Sequence, residues 1–206
     1  VLDKKDGEIL LLSEYGLDAQ PFDTSGKSRV DWKDSTIRKW LNDDFYNSAF
    51  SEKEKENIVE SKSEGFEEYN TSMNLTGGGK PYAYLEREIE DKVFLLSNTE
   101  LCAYFSEDPY PGCYSDPYAH KELLCYPTAY AKQQLETRYQ TETCGWWLCN
   151  HVYEDDSVEL VSAYGQGSGT SRENIKANTK SIAVRPAMWV TWQSDMEMVE
   201  ANQQVE

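Results

Sequence analysis

The chain has 206 residues, with 37 acids against 20 bases and a net charge of −17. That balance disfavours nucleic acid or an anionic membrane surface as partner, because both repel a strongly acidic chain. With 39% apolar and 13% aromatic residues, the composition excludes general disorder and supplies enough material for a sizeable core.

The first four aliphatic residues in a row, Ile9 to Leu12, are far too short to cross a bilayer, so no membrane insertion is expected. They read instead as a strand buried on both faces. Asp3 to Gly7 before them reads as a polar turn, and Val1-Leu2 as the end of a preceding strand that is cut short. The start shows neither Met nor a basic-then-apolar leader, the pattern expected of a piece of a longer protein.

Ser13 to Asp31 is a polar loop punctuated by Gly16, Pro21 and Gly26. A helix follows, capped by Asp34 or Ser35, with Ile37, Trp40, Leu41 and Phe45 at helical spacing. Ser51-x-x-Glu54 is a capping box that opens a second helix expected to run to Lys62, with Ile58 and Val59 facing inward. Residues 63–91 lack periodicity and contain Gly77-Gly78-Gly79, so a mobile loop is expected there.

Val93 to Ser97 echoes the first strand, and Thr99 can cap a short helix reaching Phe105. Pro127 to Gln134 reads as a further short helix with Pro in its first turn. Trp146 to Cys149, Val158 to Ala163 and Ile182 to Trp192 are strand candidates, with Gly165, Gly167 and Gly169 marking a turn between the later two. Residues 193–206 form a polar C-terminal tail. The expected class is α+β, with a mixed or antiparallel sheet and helices in the first half, folded as one domain over residues 1–206.

The segments from Ile9 to Leu17, Thr36 to Tyr46 (Thr-Ile-Arg-Lys-Trp-Leu-Asn-Asp-Asp-Phe-Tyr), Ala49 to Ser51 and Asp91 to Ser97 carry a family likeness. So do Pro127 to Lys132, Trp146-Trp147-Leu148 and Val184-Arg185-Pro186-Ala187-Met188-Trp189. In order and spacing they resemble an uncharacterised bacterial domain of unknown function, common in gut-associated Gram-positive bacteria. The resemblance covers nearly the whole chain and implies no activity. Where that family reads Trp-Trp-Leu-Arg-Ser-Pro-Gly, this chain has Cys149, Asn150 and His151 after Leu148. Residues 106–126 look like an inserted loop. The paired-tryptophan and closing Arg-Pro-Ala strands are distantly similar to the C-type-lectin-like fold of formylglycine-generating-enzyme relatives.

Three constellations could carry function. Tyr110, Tyr114 and Tyr118 sit in the inserted loop among Pro109, Pro111, Gly112 and Pro117. Stiffened tyrosines suit stacking on a sugar or anchoring a protein partner; the alternative is that they fold back as a satellite core. Trp146 and Trp147 must point to opposite faces of a strand, so one can enter the core while Trp147 lines a ligand surface.

Arg185, followed by Pro186 at an edge or bulge, either pairs with a buried carboxylate or binds a ligand oxygen. All five cysteines fall between residues 102 and 149, an odd number that cannot close entirely into internal disulfides. Structural zinc is not expected, since no CxxC pair is present.

By the resemblance, Cys144 and Cys149 match the two copper(I)-binding thiols of formylglycine-generating enzymes. Strand geometry opposes that pairing, because positions five apart face opposite sides about 16 Å from each other. Glu154, Asp155 and Asp156 could contribute to a calcium site, though an acidic turn is the simpler account.

The expectation is a non-catalytic module on an exported bacterial protein, in the extracellular space or cell envelope, binding a glycan or a protein and needing no cofactor. A reduced cytosolic setting stays open, as do a thiol-dependent oxidase-like enzyme and a structural spacer.

Overall fold

The computed structural model describes residues 1–27, 30–62, 89–105, 121–136, 142–151, 157–166 and 175–192. The chain opens with a hairpin of β1 (Asp3–Lys5) and β2 (Glu8–Leu12). Its turn is only Asp6-Gly7, both at positive φ (51° and 82°), the geometry that a two-residue type I′ turn requires and that Asp-Gly supplies. The expected polar turn over Asp3 to Gly7 is therefore mostly strand: Lys5 already pairs with Glu8. β3 (Tyr15–Gly16) follows within the expected loop.

Ser35 caps the next helix by accepting from the Arg38 amide at 3.3 Å. That helix runs as α1 (Thr36–Trp40), a π-helical turn over Leu41–Phe45, and α2 (Tyr46–Ala49). The wider turn lets Leu41 and Tyr46 both reach the core, while Phe45 packs between Trp40 and Phe50 with ring centroids 5.3 and 5.9 Å away.

The Ser51–Glu54 capping box is present, yet α3 (Glu52–Lys55) lasts one turn. The longer helix expected here is replaced by β4 (Ile58–Val59) and β5 (Ser61–Lys62). Two β-branched residues favour extended backbone, and they complete a sheet edge by pairing with Val190 and Trp189.

β6 (Glu90–Asp91) pairs with β5, so the end of the expected 63–91 loop is ordered sheet; residues 63–88 lie outside the described residues. Val93 to Leu96 are all buried, but the segment joins the sheet by one bridge, Phe94 to Ala187, and is not a regular strand. It spends its other groups on neighbours, as in the Leu96 carbonyl accepting from the Cys149 amide at 3.0 Å.

α4 (Asn98–Phe105) is capped by Ser97 rather than Thr99: the Glu100 amide donates to Ser97 Oγ and Glu100 accepts from the Ser97 amide. This is a second capping box. β7 (Tyr126–Pro127) precedes α5 (Ala129–Gln134), whose cap is Thr128, so the helix begins two residues after Pro127. β9 (Val158–Val161) and β10 (Ala187–Thr191) fall inside the expected strand regions, and β8 (Trp146–His151) extends the expected Trp146 to Cys149 by two residues.

The main sheet has the order β1-β2-β10-β4, antiparallel throughout. β8 and β9 form a separate antiparallel pair, and β3 with β7 a short parallel one. Helices and predominantly antiparallel sheets make this an α+β fold. Among the described residues, no helix is long and apolar enough to cross a membrane.

The core gathers Phe22, Trp32 and Trp147, whose rings meet at 6.0–6.2 Å, with Leu10, Ile37, Leu41 and Val93 to Leu96 around them. One polar knot holds helix to sheet within it. Asp91, 2% exposed, accepts from Trp32 Nε1 at 2.8 Å and Arg38 Nε at 2.7 Å. Asn42 completes the knot by donating to Asp91 Oδ1 and the Val93 carbonyl and accepting from the Lys92 and Val93 amides. Every buried charge here has a partner, which is the condition for burying it at tolerable cost.

Candidate functional site

The segment Ser13–Asp18 runs beside Ala183–Pro186. The Ser13 amide donates to the Pro186 carbonyl, the Leu17 amide to Val184, and the Val184 amide to Asp18, each at 2.8–2.9 Å. Arg185-Pro186 interrupts the ladder between the bridges at Ala183 and Val184 and the start of β10, as expected of a proline that removes a donor.

Arg185 itself is only 7% exposed. Its Nε donates to the Ser13 carbonyl at 2.8 Å and its guanidinium lies 4.9 Å from the Trp146 ring centroid. Its Nη1 is buried with no hydrogen-bond partner. Among the described residues no carboxylate forms an ion pair with it, which corrects the expected buried Arg–carboxylate lock. The titratable groups that act on it are the thiols of Cys125 and Cys144 and, more weakly, Glu14.

Those two thiols are brought together by backbone pairing. β3 and β7 align Gly16 with Pro127, and the Cys144 amide donates to the Cys125 carbonyl at 2.8 Å. A Cβ on Gly16 would stand 3.2 Å from Cys144 Sγ, 3.5 Å from Cys125 Sγ and 2.8 Å from Ala183 Cβ. Glycine is thus demanded by close approach rather than by backbone angle.

Cys125 is 1% and Cys144 6% exposed. The Cys144 thiol donates to the Cys125 carbonyl at 3.5 Å. The nearby Cys144 side chain, with Arg185 and the Gly16 amide, holds the Cys125 thiol below its ordinary pKa against the opposing effect of burial. The Cys125 side chain, together with burial, pushes Cys144 up. The opposite directions of the two shifts make Cys125 the more acidic thiol of the pair.

The thiol pair inferred from the formylglycine-generating-enzyme resemblance is thus not the one that forms. Cys144 meets Cys125, while Cys149 is buried further along β8 with its Sγ 3.9 Å from Asn150 Oδ1. Sequence proximity favoured Cys149; the signal for Cys125 was Gly16, whose small size makes sense only once β3 and β7 are adjacent. Trp147 is also corrected as a ligand-surface residue. It is 0% exposed, and its indole donates to the Gln20 carbonyl at 3.0 Å. Trp146 is equally buried, donating to the Leu123 carbonyl. Tyr110, Tyr114 and Tyr118, and the acidic run at 154–156, lie outside the described residues.

On the other side of the Ser13–Pro186 contact, an apolar groove of about 450 Å³ opens between the β2–β10 face and the helix that ends at Ala49. Leu12, Phe45, Phe50, Pro186 and Met188 line it. Its volume falls in the range of pockets that hold ligands. Glu14 and Asp44, both exposed, directly follow Ser13 and precede Phe45 of its wall. Periodicity did not reveal the groove, because its residues come from four separate segments.

Neither the comparison with curated proteins nor that with solved structures gives a match. A family model does, over residues 6–192. The chain belongs to the family described as Domain of unknown function (DUF6273).

Proposed function

We propose that this domain is a non-catalytic binding module of an exported bacterial protein, built as a C-type-lectin-like variant of the α+β class, and that its ligand is a segment of a protein partner. The observation that carries the reading is the apolar groove between β2, β10 and the Phe45–Phe50 stretch. Half-buried Leu12, Phe45, Phe50 and Met188 offer a concave apolar surface of the kind that takes an apolar anchor side chain. A sugar, rich in hydroxyls that need hydrogen-bond partners, gains less from walls of this kind. The acidic flanks Glu14 and Asp44, in a chain of net charge −17, favour basic residues around that anchor. The Trp-Trp and Arg-Pro-Ala strands support the lectin-like variant by sequence resemblance.

Selection of a random peptide library on the intact chain, in parallel with a glycan array, tests the reading. Peptides with an apolar residue flanked by Lys or Arg are expected, and Ala49→Trp, which fills the mouth of the groove, is expected to abolish their binding. Glycan binding that survives Ala49→Trp would replace the protein ligand with a sugar. Background signal on both supports would sink the binding role.

A further inference from the structure

We propose that Cys125 and Cys144 form a hydroperoxide-reactive dithiol site, in which Cys125 is the nucleophile, Cys144 the resolving thiol and Arg185 the positioning cation. Three observations carry it, none of them from the groove. Cys125 and Cys144 sulfurs converge on the space above Gly16, and the Cys144 amide bonds the Cys125 carbonyl at 2.8 Å, which holds the two backbones close enough for a disulfide. Arg185 is buried with Nη1 unpartnered, and it couples electrostatically to both thiols. A guanidinium lacking an ion-paired carboxylate inside a protein calls for another anion, and of the groups that act on Arg185 the Cys125 and Cys144 thiols act more strongly than Glu14.

The chemistry balances with one oxidant. The Cys125 thiolate attacks one oxygen of a hydroperoxide; the S–O bond forms as the O–O bond breaks, and the other oxygen leaves as alkoxide or hydroxide and takes up a proton. Sulfur loses two electrons and becomes a sulfenic acid. Cys144 sulfur then attacks Cys125 sulfur. The S–S bond forms, the S–O bond breaks, and the hydroxyl departs as water with the Cys144 proton. Two thiols and one hydroperoxide become a disulfide, an alcohol (water, for hydrogen peroxide) and water. Cys125 and Cys144 are 1% and 6% exposed, so the oxidant that fits is a small hydroperoxide rather than a bulky disulfide.

Hydrogen peroxide applied to the intact folded chain, followed by alkylation under denaturing conditions and peptide mapping, tests the site. A cross-linked peptide joining Cys125 to Cys144, reversed by dithiothreitol, is expected. In Cys144→Ala the reaction should stop at a dimedone-reactive sulfenic acid on Cys125; in Cys125→Ala, Cys144 should stay alkylatable. Arg185→Met should slow bridging by roughly tenfold, with its circular dichroism spectrum checked against the parent so that slowing is not misfolding. The assignment is overturned if both cysteines remain alkylatable after peroxide, or if the bridge forms through Cys149, Cys102 or Cys113 instead.

Discussion

Among the described residues two guanidinium groups are drawn out of water, wholly or in part, and they are treated in opposite ways. Arg38 is partly exposed and meets the carboxylate of Asp91 at 2.7 Å, with carbonyls of Lys33 and Glu90 taking its other nitrogens. Arg185 is more deeply buried, has one carbonyl at Nε, an aromatic face beneath it, and an Nη1 with nothing to donate to. The first arrangement is closed: each donor has its acceptor, and the knot fastens a helix to a sheet. The second is open, with two thiols where a carboxylate would complete it. A complete buried network serves rigidity, whereas an incomplete one stores an electrostatic demand that chemistry can meet.

The contrast is sharpest if the closed knot is cut. Asp91→Ala leaves Trp32 Nε1, Arg38 and Asn42 facing a buried gap, and a loss of about 3–5 kcal/mol is expected in urea unfolding. A loss below about 1 kcal/mol would mean that the knot is no more structural than the open site.

Gly16→Ala comes next. Its methyl would sit 2.8 Å from the buried Ala183 Cβ, and Ala183 has no flexible end to move aside. A loss of about 1–3 kcal/mol is expected, with slower peroxide bridging because the added carbon wedges between the sulfurs. Unchanged stability and bridging would show that β3 and β7 are not held this closely.

Arg185→Met should do far less to stability than Asp91→Ala. It gives up the hydrogen bond to the Ser13 carbonyl, worth about 1 kcal/mol, and recovers the desolvation of an incompletely paired charge. The net change is expected within about 1 kcal/mol. A loss of the size expected for Asp91→Ala would erase the distinction between the two clusters.

Glu159 gives the smallest effect and carries a pH sign. Burial raises its carboxyl above the ordinary value, opposed by the Asn98 amide 2.9 Å from Oε2. The folded chain then holds that proton more tightly than the unfolded one. Its contribution is fullest below the ordinary carboxylate range and is lost as pH rises through the raised value. Glu159→Gln removes this dependence and is expected to stabilise by about 0.5 kcal/mol at neutral pH, an advantage that disappears in acid. Melting curves at the two pH values check it; equal shifts at both would refute the sign.

What the residues revealed and what they concealed divides along the same line. The capping box at Ser51, the helix with Ile37, Trp40 and Leu41, and the β8 and β10 strands depend on neighbours a few residues apart, so local pattern exposed them. Ile58-Val59 misled because two apolar residues after a strong cap fit a helix face as well as a strand. Trp147 misled because alternation says that two adjacent rings face opposite ways, but not that both faces are covered. Asp91 sits in a stretch without periodicity, and its partners Trp32, Arg38 and Asn42 lie some 50 to 60 residues earlier. Cys125 and Arg185 are separated by 60 positions, and they are joined by the Ser13–Asp18 segment laid between β7 and Val184–Pro186 and by the Cys144–Trp147 stretch, which bonds both Cys125 and Ala183.

The order of the main sheet has a consequence in time. β10, at residues 187–191, lies between β2, at residues 8–12, and β4. On the ribosome β2 and β4 are made first and have no shared partner until the last of the three strands arrives. The sheet's middle is thus its final piece, and closure must bring together stretches nearly the whole described length apart, which makes folding slow. Until then Ile9, Leu10 and Ile58 present open apolar edges, and this interval is when the protein is most vulnerable to aggregation.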